Sequence, residues 1–269
     1  MMTLQKFSMD TKDILILVKT YPEISRKYTE TVCTGGILAE TKELIRLYPV
    51  RYRYLEGETQ FSKYQWIRAK ISKSNTDVRP ESYNIVENTI KLGDIIDPGK
   101  DWQEREKWVL NSKNVYSSLE DLWAAQKMHN TSIGIIKLKE IRGFHIEKKD
   151  QSEIDEANLK KDSIVNQLDM FEDRKDLEII PVRFVLNFIC EDEKCRGHEL
   201  SILDWEFAQL YRKVKNSVGW EKKIEEKIMT ICSDQRETFL ILGNMARWQN
   251  IFCIIGFFYP PKMRQKSLF

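Results

Sequence analysis

The chain has 269 residues and a mass of 31.9 kDa, which is room for one large domain or two modest ones. Its 43 basic and 41 acidic side chains leave a net charge of +2, which excludes a strongly cationic chain that holds nucleic acid by charge alone. The first ten residues lack the layout of a signal peptide, and the longest apolar stretch, Ile251–Tyr259, is shorter than the roughly twenty residues that cross a bilayer. Because the cysteines number five, an odd count, we expect a cytoplasmic protein without a disulfide framework or a membrane partner.

Residues 1–147 are predicted to be rich in β-strands. Short runs of β-branched and aromatic residues are separated by Gly, Pro, Glu and Lys, at Asp13–Thr20, Thr31–Leu38, Leu44–Tyr52 and Gln65–Ser72. Two helices and two more strands are predicted after them, at Trp102–Asn111, Ser118–Met128, Gly134–Leu138 and Phe144–Glu147. Many short strands with few helices indicate a compact OB/PUA-like barrel, or two such barrels in tandem.

The remaining residues divide into a charged linker and a smaller module. Residues 148–178 contain no Gly or Pro and are mostly charged, so they are predicted to form a solvated helix or a disordered linker. Residues 179–264 combine apolar strands with two amphipathic helices and are predicted to be α+β, with a possible zinc turn. The predicted fold class is α+β, with a β-rich barrel module first, the charged linker second and the smaller α+β module third.

Two short peptides share one pattern. Residues 167–171 read QLDMF, and residues 265–269 read QKSLF. Both resemble the bacterial sliding-clamp-binding motif, in which a Gln reads a polar rim while Leu or Met and Phe fill an apolar cleft. The resemblance implies that the chain binds the bacterial DNA polymerase sliding clamp through Gln167, Leu168, Met170, Phe171, Gln265, Leu268 and Phe269. The alternative is that both peptides are anchors that pack on the chain's own modules.

The segment 46–70 interleaves aromatic and basic residues on predicted strands. Rings that stack on bases and cations that contact phosphates are typical of a single-strand nucleic-acid-binding face, and DNA is favoured over RNA. Because side chains alternate across a strand, about half of the rings must be core, and a barrel with a basic rim is the alternative. The predicted nucleic-acid-binding residues are Arg46, Arg51, Tyr52, Arg53, Lys63, Tyr64, Trp66 and Arg68.

Three further segments carry a family resemblance. Residues 31–37 (TVCTGGI) and 44–50 (LIRLYPV) are similar to the "CVAGI"-like and "WIRP"-like strands of an uncharacterised bacterial family with tandem OB-type barrels. Residues 132–137 (SIGIIK) resemble the later barrel of that family. The resemblance covers about the first 145 residues, and it implies a dual-barrel fold with a nucleic-acid surface rather than an activity.

A compact group of metal-binding residue types follows the predicted strand at 181–190. Cys190, Cys195 and His198 supply three of the four ligands that a tetrahedral zinc ion takes in proteins. A structural zinc site is predicted, and a catalytic zinc site or a metal-free turn are the alternatives. The fourth ligand would be water or one of three distant residues, Cys33, Cys232 and Cys253.

The last candidates are acidic. Glu199, Asp204 and Glu206 would be the catalytic residues of a metal-dependent nuclease if their carboxylates converged. Residues two apart diverge on a helix, and acidic residues also stabilise a helix N-terminus, so a structural role is the alternative. No phosphate loop, dinucleotide fingerprint or nucleophile elbow occurs, which favours a binding protein over an enzyme.

The function that the sequence favours is a DNA-associated protein of replication, repair, mobile elements or defence that docks on the sliding clamp. The alternatives are the nuclease and a reader of modified bases or nucleotides. A reader predicts a deep pocket in the N-terminal module. The polar loop Arg79–Ser82 is a separate candidate for a ligand contact, to which the sequence assigns no mechanism.

Overall fold

Two β-sheets and five α-helices make up the parts of the chain that the computed structural model describes, residues 9–25, 29–97, 102–165 and 177–262. Each sheet closes on itself into a small barrel, because its first ring strand pairs with two neighbours. The predicted β-rich architecture is confirmed, with an OB-like barrel at the N-terminus and an α+β part after it.

The first barrel is built from seven strands, β1 (Asp10–Lys19), β2 (Glu23–Ser25), β3 (Thr29–Leu38), β4 (Leu44–Val50), β5 (Gln65–Lys73), β6 (Ser82–Ile85) and β7 (Lys91–Ile95). Five of them form the closed ring β1-β3-β4-β6-β5, in which β5 pairs again with β1. Within the ring β4 and β6 are parallel, and the other pairs are antiparallel. A closed five-stranded ring of this kind is the architecture of the OB fold.

Strand β1 is apolar on both faces because it lies between the interior of its own barrel and the second barrel. Ile14 and Ile16 point into the first barrel, whereas Leu15 and Leu17 join an apolar cluster that both barrels share. All four side chains are fully buried. The uninterrupted apolar run of β1 therefore reflects burial on two sides rather than the alternation of a half-exposed strand.

The second barrel is built from six strands, β8 (Val115–Tyr116), β9 (Ile133–Lys148), β10 (Val182–Cys190), β11 (His198–Ile202), β12 (Phe239–Met245) and β13 (Trp248–Phe258). Its closed ring is β9-β10-β11-β13-β12, in which β12 pairs again with β9 and β11 runs parallel to β13. The strand order repeats that of the first barrel, so the described chain contains two OB-like barrels in tandem.

The helices are α1 (Trp102–Val109), α2 (Leu119–His129), α3 (Gln151–Val165), α4 (Trp205–Val214) and α5 (Trp220–Ile231). Helix α1 precedes β8, α2 connects β8 to β9, α3 follows β9, and the last two connect β11 to β12. Helix α2 begins after Ser118, whose side chain accepts a hydrogen bond from the backbone N of Asp121 at 3.1 Å. None of the helices in the described ranges is long and apolar enough to cross a membrane.

The division between the modules differs from the predicted one. The sequence placed it at 147/148, with a barrel module over 1–147, a linker over 148–178 and an α+β module over 179–264. In the structure the last ring strand of the first barrel ends at Ile85, and β9 pairs with β10 and β12 of the second barrel. The predicted pair of strands at 134–147 is one continuous strand, and the described part of the linker, 148–165 with 177–178, is an excursion between β9 and β10.

An apolar cluster joins the two barrels. Leu15 and Leu17 of β1 pack with Ile133 and Ile135 of β9 and with Phe258 of β13. Because these side chains are excluded from water on both sides of the seam, they hold the barrels together. A cavity opens beside this cluster, where the polar side chains of both barrels meet.

Candidate ligand pocket at the barrel seam

The cavity between the barrels has a volume of about 710 Å³. Strands β3 and β4 and the loop between β5 and β6 form one wall, and strands of the second barrel form the other. Binding sites for small molecules typically measure about 300–1,000 Å³ and combine apolar walls with a few polar groups. The reader hypothesis placed such a pocket inside the N-terminal module, whereas the structure places it between the two barrels.

A buried polar network fixes the floor of the cavity. Arg46 of β4 donates a hydrogen bond from Nε to Ser132 Oγ at 3.0 Å, and it donates from Nη2 to the Ser132 carbonyl. Glu81 accepts from Ser132 Oγ at 2.7 Å and from the Ser132 backbone N. Burial lowers the pKa of Arg46, and the nearby Glu81 carboxylate acts in the opposite direction. Ser132 thus links a buried guanidinium of the first barrel to the start of the second.

The polar loop 79–82 of the first barrel is hydrogen-bonded to the second barrel across the seam between them. Arg79 donates from Nη1 to the backbone carbonyl and the side-chain Oδ1 of Asn244, at 2.9 and 3.2 Å. Its Nε donates to Asp77 at 2.9 Å, and Ser82 donates to the same carboxylate at 2.8 Å. Burial opposes ionisation of Asp77, but these hydrogen bonds lower its pKa. The loop is therefore held rigidly against β12, and the cavity wall is preorganised.

Several polar groups of the cavity wall have no partner within the described chain. The side-chain amides of Asn84 and Gln249 make no hydrogen bond to any described residue. Lys149 forms no ion pair with a described carboxylate, and burial lowers the pKa of its amine, with Arg183 acting in the same direction. Tyr48 is 43% exposed at the rim and accepts a hydrogen bond from Thr31. The wall therefore offers amide, cationic and aromatic contacts to a ligand.

A second cavity of about 480 Å³ lies on the other side of Asp204. Asp204 is the N-cap of α4, and its Oδ1 accepts hydrogen bonds from the backbone N atoms of Glu206 and Phe207. Burial raises the pKa of Asp204 to about 6, the Lys63 ammonium opposes this shift and the Glu206 carboxylate adds to it. Burial also lowers the pKa of Lys19 to about 8. Asp204 therefore has the structural role that was the alternative to a nuclease, stabilisation of a helix N-terminus.

The three acidic residues predicted as nuclease ligands do not converge. Glu199 lies in a group with His145 and Glu147, whose ligand atoms are all within 4.8 Å of one another. Asp204 is engaged in capping α4, and Glu206 pairs with Lys63 at 3.5 Å. The reason is that Glu199 lies on β11 while the other two residues lie at the start of the helix that follows it. The described residues hold no site that uses these three carboxylates together.

The aromatic residues predicted to bind nucleic acid lie in packed surroundings. Tyr64 is buried, and the Arg105 guanidinium lies 3.8 Å from its ring centre. Trp66 packs edge-on against Trp108, with ring centres 4.8 Å apart. Tyr52 lies 5.2 Å from Phe61 and 5.4 Å from Trp205, measured between ring centres. These rings are mostly core or seam residues rather than an open stacking surface.

The predicted basic residues are paired with groups of the chain itself. The Lys63 amine donates to the Phe257 carbonyl at 3.2 Å, and Arg46 is buried in the seam network. The arginines of the outer barrel surface pair with carboxylates, at 3.3 Å for Arg51–Glu87, 2.9 Å for Arg53–Glu30 and 2.7 Å for Arg68–Asp13. The eight predicted residues therefore do not form one exposed face, and the segment 46–70 is closer to the alternative interpretation, a barrel with a charged rim.

The structure brings together the three predicted zinc ligands. The ligand atoms of Cys190, Cys195 and His198 lie within 4.8 Å of one another, and the three cysteines considered as fourth ligands are not in this group. Glu120 of α2 lies beside this group, with Oε2 at 3.4 Å from His198 Nε2, but it is not within 4.8 Å of all three ligand atoms. Sequence spacing did not identify Glu120, because it lies on a different element, 70 residues before Cys190.

The predicted clamp-binding residues lie outside the described residues. Gln167, Leu168, Met170 and Phe171 fall within 166–176, and Gln265, Leu268 and Phe269 fall within 263–269.

Comparisons with known proteins give two family matches. Residues 10–111 match the family described as Domain of unknown function (DUF8758), and residues 112–269 match Domain of unknown function (DUF8757). The matches meet at 111/112, between the two barrels. None of the curated proteins matches the chain.

Two solved structures are similar at low identity. The HINa domain of Ifi202 in complex with 20-bp dsDNA is 9% identical, with 94% of this chain and 96% of that chain covered and a TM-score of 0.34. A murine DNA-binding protein bound with dsDNA is 10% identical, with 96% of this chain and 100% of that chain covered and a TM-score of 0.30. Likenesses this distant leave the function to be inferred from the pocket itself.

Proposed function

The chain belongs to the family described as Domain of unknown function (DUF8757), and we propose that it is a nucleic-acid-binding protein whose seam cavity holds an unpaired nucleobase. The observation that carries the proposal is the cavity of about 710 Å³ with unpartnered amides and an unpaired lysine in its wall. Proteins that read a single base take it out of its stack into such a pocket.

The side-chain amides suit the edge of a base. An Asn or Gln amide presents one acceptor and two donors, which complement the donor and acceptor pattern of a base edge. Asn84 lies on β6 of the first barrel and Gln249 on β13 of the second, so each barrel contributes one side-chain amide to the cavity wall. The rigid pair of Arg79 and Asn244 keeps the wall in position before the base arrives.

The rim of the cavity suits the rest of a nucleotide. Lys149 is half-buried with a lowered pKa, so a phosphate beside its amine would stabilise the charged form. The exposed ring of Tyr48 offers a surface on which a neighbouring base stacks. Single-stranded nucleic acid is favoured as the partner, because its bases are free to enter a pocket.

The test is binding of fluorescein-labelled single-stranded DNA, single-stranded RNA and duplex DNA, followed by fluorescence anisotropy. Loss of one base-edge contact in Asn84→Ala should weaken binding of the preferred single strand roughly tenfold. Lys149→Ala should weaken binding and reduce its salt dependence, because a phosphate contact is removed. Asn88→Ala and Lys148→Ala are matched controls on exposed positions, and we expect them to bind as the wild type does. Wild-type affinity in an Asn84→Ala/Lys149→Ala double variant would contradict the proposal.

A second function, docking on the sliding clamp, is favoured by the two pentapeptides at 167–171 and 265–269. Two weak peptides on one chain gain avidity on a ring with several binding clefts. The clamp would then bring the pocket to DNA that is being replicated or repaired, in a host or a mobile element.

Calorimetry with a purified bacterial sliding clamp tests this docking. We expect micromolar binding that is lost in Phe171→Ala/Phe269→Ala, since both anchor rings are removed. Lys266→Ala changes only the variable position of the second peptide and should bind normally. Failure of the wild type to bind would assign both peptides to packing within the chain, and it would leave the pocket proposal to the anisotropy experiment.

A further inference from the structure

Three metal-binding side chains of the second barrel meet at one point, and a carboxylate from a separate helix lies beside them. Cys190 ends β10, Cys195 lies in the following turn and His198 begins β11, whereas Glu120 lies in the first turn of α2. His198 Nε2 is 3.3 Å from Cys195 Sγ, 3.5 Å from Cys190 Sγ and 3.4 Å from Glu120 Oε2. Glu120 Oε2 is also 4.0 Å from Cys190 Sγ.

These distances are close to the edges of a zinc tetrahedron. Zn–S bonds of about 2.3 Å and Zn–N or Zn–O bonds of about 2.0–2.1 Å place tetrahedral ligand atoms roughly 3.3–3.8 Å apart. The three distances from His198 Nε2 fall in this range, and the Glu120–Cys190 distance exceeds it slightly. The Glu120 carboxylate is not within 4.8 Å of all three other ligand atoms, so its half-exposed side chain must move toward Cys195 to complete the tetrahedron. We propose that Cys190, Cys195, His198 and Glu120 bind one structural zinc ion.

The donor set and its surroundings select zinc over other cations. Two thiolates and an imidazole are poor ligands for Mg²⁺ or Ca²⁺, which prefer oxygen, and good ligands for Zn²⁺. Cys190 is fully buried, and the His198 imidazole is packed against Phe188 and Trp123, with ring centres 5.4 and 5.8 Å away. With Glu120 bound as the fourth ligand, no position would remain for a reacting water, and the site would be structural.

The zinc ion would join α2 to the turn between β10 and β11. This turn contains Gly197 in a left-handed conformation with φ of +106°, and the side chains around it are mostly exposed. Helix α2 is also tied to the second barrel by Trp123, whose Nε1 donates to the Asn250 carbonyl at 3.2 Å. The metal would thus supply a cross-link between the helix and an exposed turn. This inference is independent of the proposed base pocket, which shares no residue with the site.

Metal analysis of the full chain, purified without chelators, is the first test. We expect one zinc per chain by mass spectrometry of the elements, and X-ray absorption should show two sulfur and two nitrogen or oxygen ligands. Replacement with Co²⁺ should give the ligand-field bands of tetrahedral cobalt together with thiolate charge transfer. Protein that lacks zinc and does not take it up on addition of zinc salt would overturn the proposal. A Cys190–Cys195 disulfide in alkylated, unreduced protein would overturn it too.

Matched variants test the carboxylate ligand, measured by competition with a coloured chelator. Glu120→Gln and Cys195→Ser should each weaken zinc binding roughly tenfold or more, as loss of a metal contact does. Asp121→Asn, on the neighbouring residue of α2, and Cys232→Ser, on a thiol outside the group, should keep wild-type affinity. Circular dichroism of each variant with and without zinc separates metal loss from failure to fold. Unchanged affinity and an unchanged absorption spectrum in Glu120→Gln would overturn the four-ligand site.

Discussion

The two barrels have the same ring order but differ in what interrupts it. In the first barrel, β4 is followed by short 3-10 turns before β5 continues the ring. In the second barrel, α4 and α5 stand at the corresponding position, and a long excursion with α3 separates β9 from β10. The difference teaches that ring closure depends on the paired strands alone, since insertions at strand ends leave the ladder hydrogen bonds intact.

The largest effect should come from removing one ring from each barrel core. Phe61→Ala in the first barrel and Phe188→Ala in the second each delete a fully buried ring, which costs about 3–5 kcal/mol of unfolding free energy. Because an apolar cluster couples the barrels, we expect a single urea transition at lower midpoint, followed by circular dichroism and tryptophan fluorescence. Met128→Ala, at an exposed position, is the control. Two separate transitions would show that the barrels unfold independently.

A smaller loss of stability is expected when a Cβ is added at a tightly packed glycine. The loss should be larger where the Cβ meets backbone than where it meets side chains. A Cβ at Gly36 would lie 2.8 Å from the Leu15 carbonyl oxygen, whereas at Gly134 the nearest atoms belong to side chains of Leu122 and Tyr116. Gly36→Ala should therefore cost about 1–3 kcal/mol, and Gly134→Ala should cost less because side chains move more readily than backbone. Gly143→Ala, whose nearest neighbour is 3.8 Å away, is the control. Equal urea midpoints for the first two variants would contradict this ranking.

The smallest effect is a pH dependence at the seam. Burial raises the pKa of Asp204 to about 6, above the value of about 3.9 in an unfolded chain. The folded state therefore binds the proton more tightly, and the contribution of Asp204 to the unfolding free energy falls as pH rises from about 4 to about 6. Asp204→Asn keeps a good N-cap without the charge, so it should gain stability relative to the wild type between pH 4.5 and 7.

Urea unfolding at both pH values measures this gain, and Asp234→Asn, on an exposed turn, is the control. A constant difference between the Asp204→Asn variant and the wild type at the two pH values would contradict the role of burial.

The sequence predicted four of the five ring strands of the first barrel, because these strands are long and bounded by turn residues, but it did not predict the short strand β6. The ring of the second barrel was not predicted. Its neighbouring strands β9 and β10 are separated in the sequence by a charged segment that has the composition of a linker. Pairing between such distant strands is decided by tertiary packing, which local periodicity does not report.

Among the site residues, those close together in the sequence could be predicted from their spacing, whereas those brought together from distant parts of the chain could not. Cys190, Cys195 and His198 were identifiable because they are close in sequence, while Glu120 lies 70 residues before Cys190. Asn84 and Lys149 of the cavity wall come from different barrels and share no motif. The interleaved rings and cations of residues 46–70 were interpreted as a nucleic-acid-binding surface. In the structure, rings of this segment pack against the second barrel and its arginines pair with neighbouring carboxylates.

The hydrogen bond between the backbone N of Lys149 and the carbonyl of Pro181, 2.9 Å long, closes the neck of the excursion between β9 and β10. Additional residues beyond a closed neck destabilise the fold only slightly, because each doubling of the length of a flexible loop raises the free energy of loop closure by about 0.6 kcal/mol. Closure of the ring therefore does not depend on the number of residues beyond this neck. A change in length beyond this neck would leave the hydrogen bonds between β9 and β10 in place.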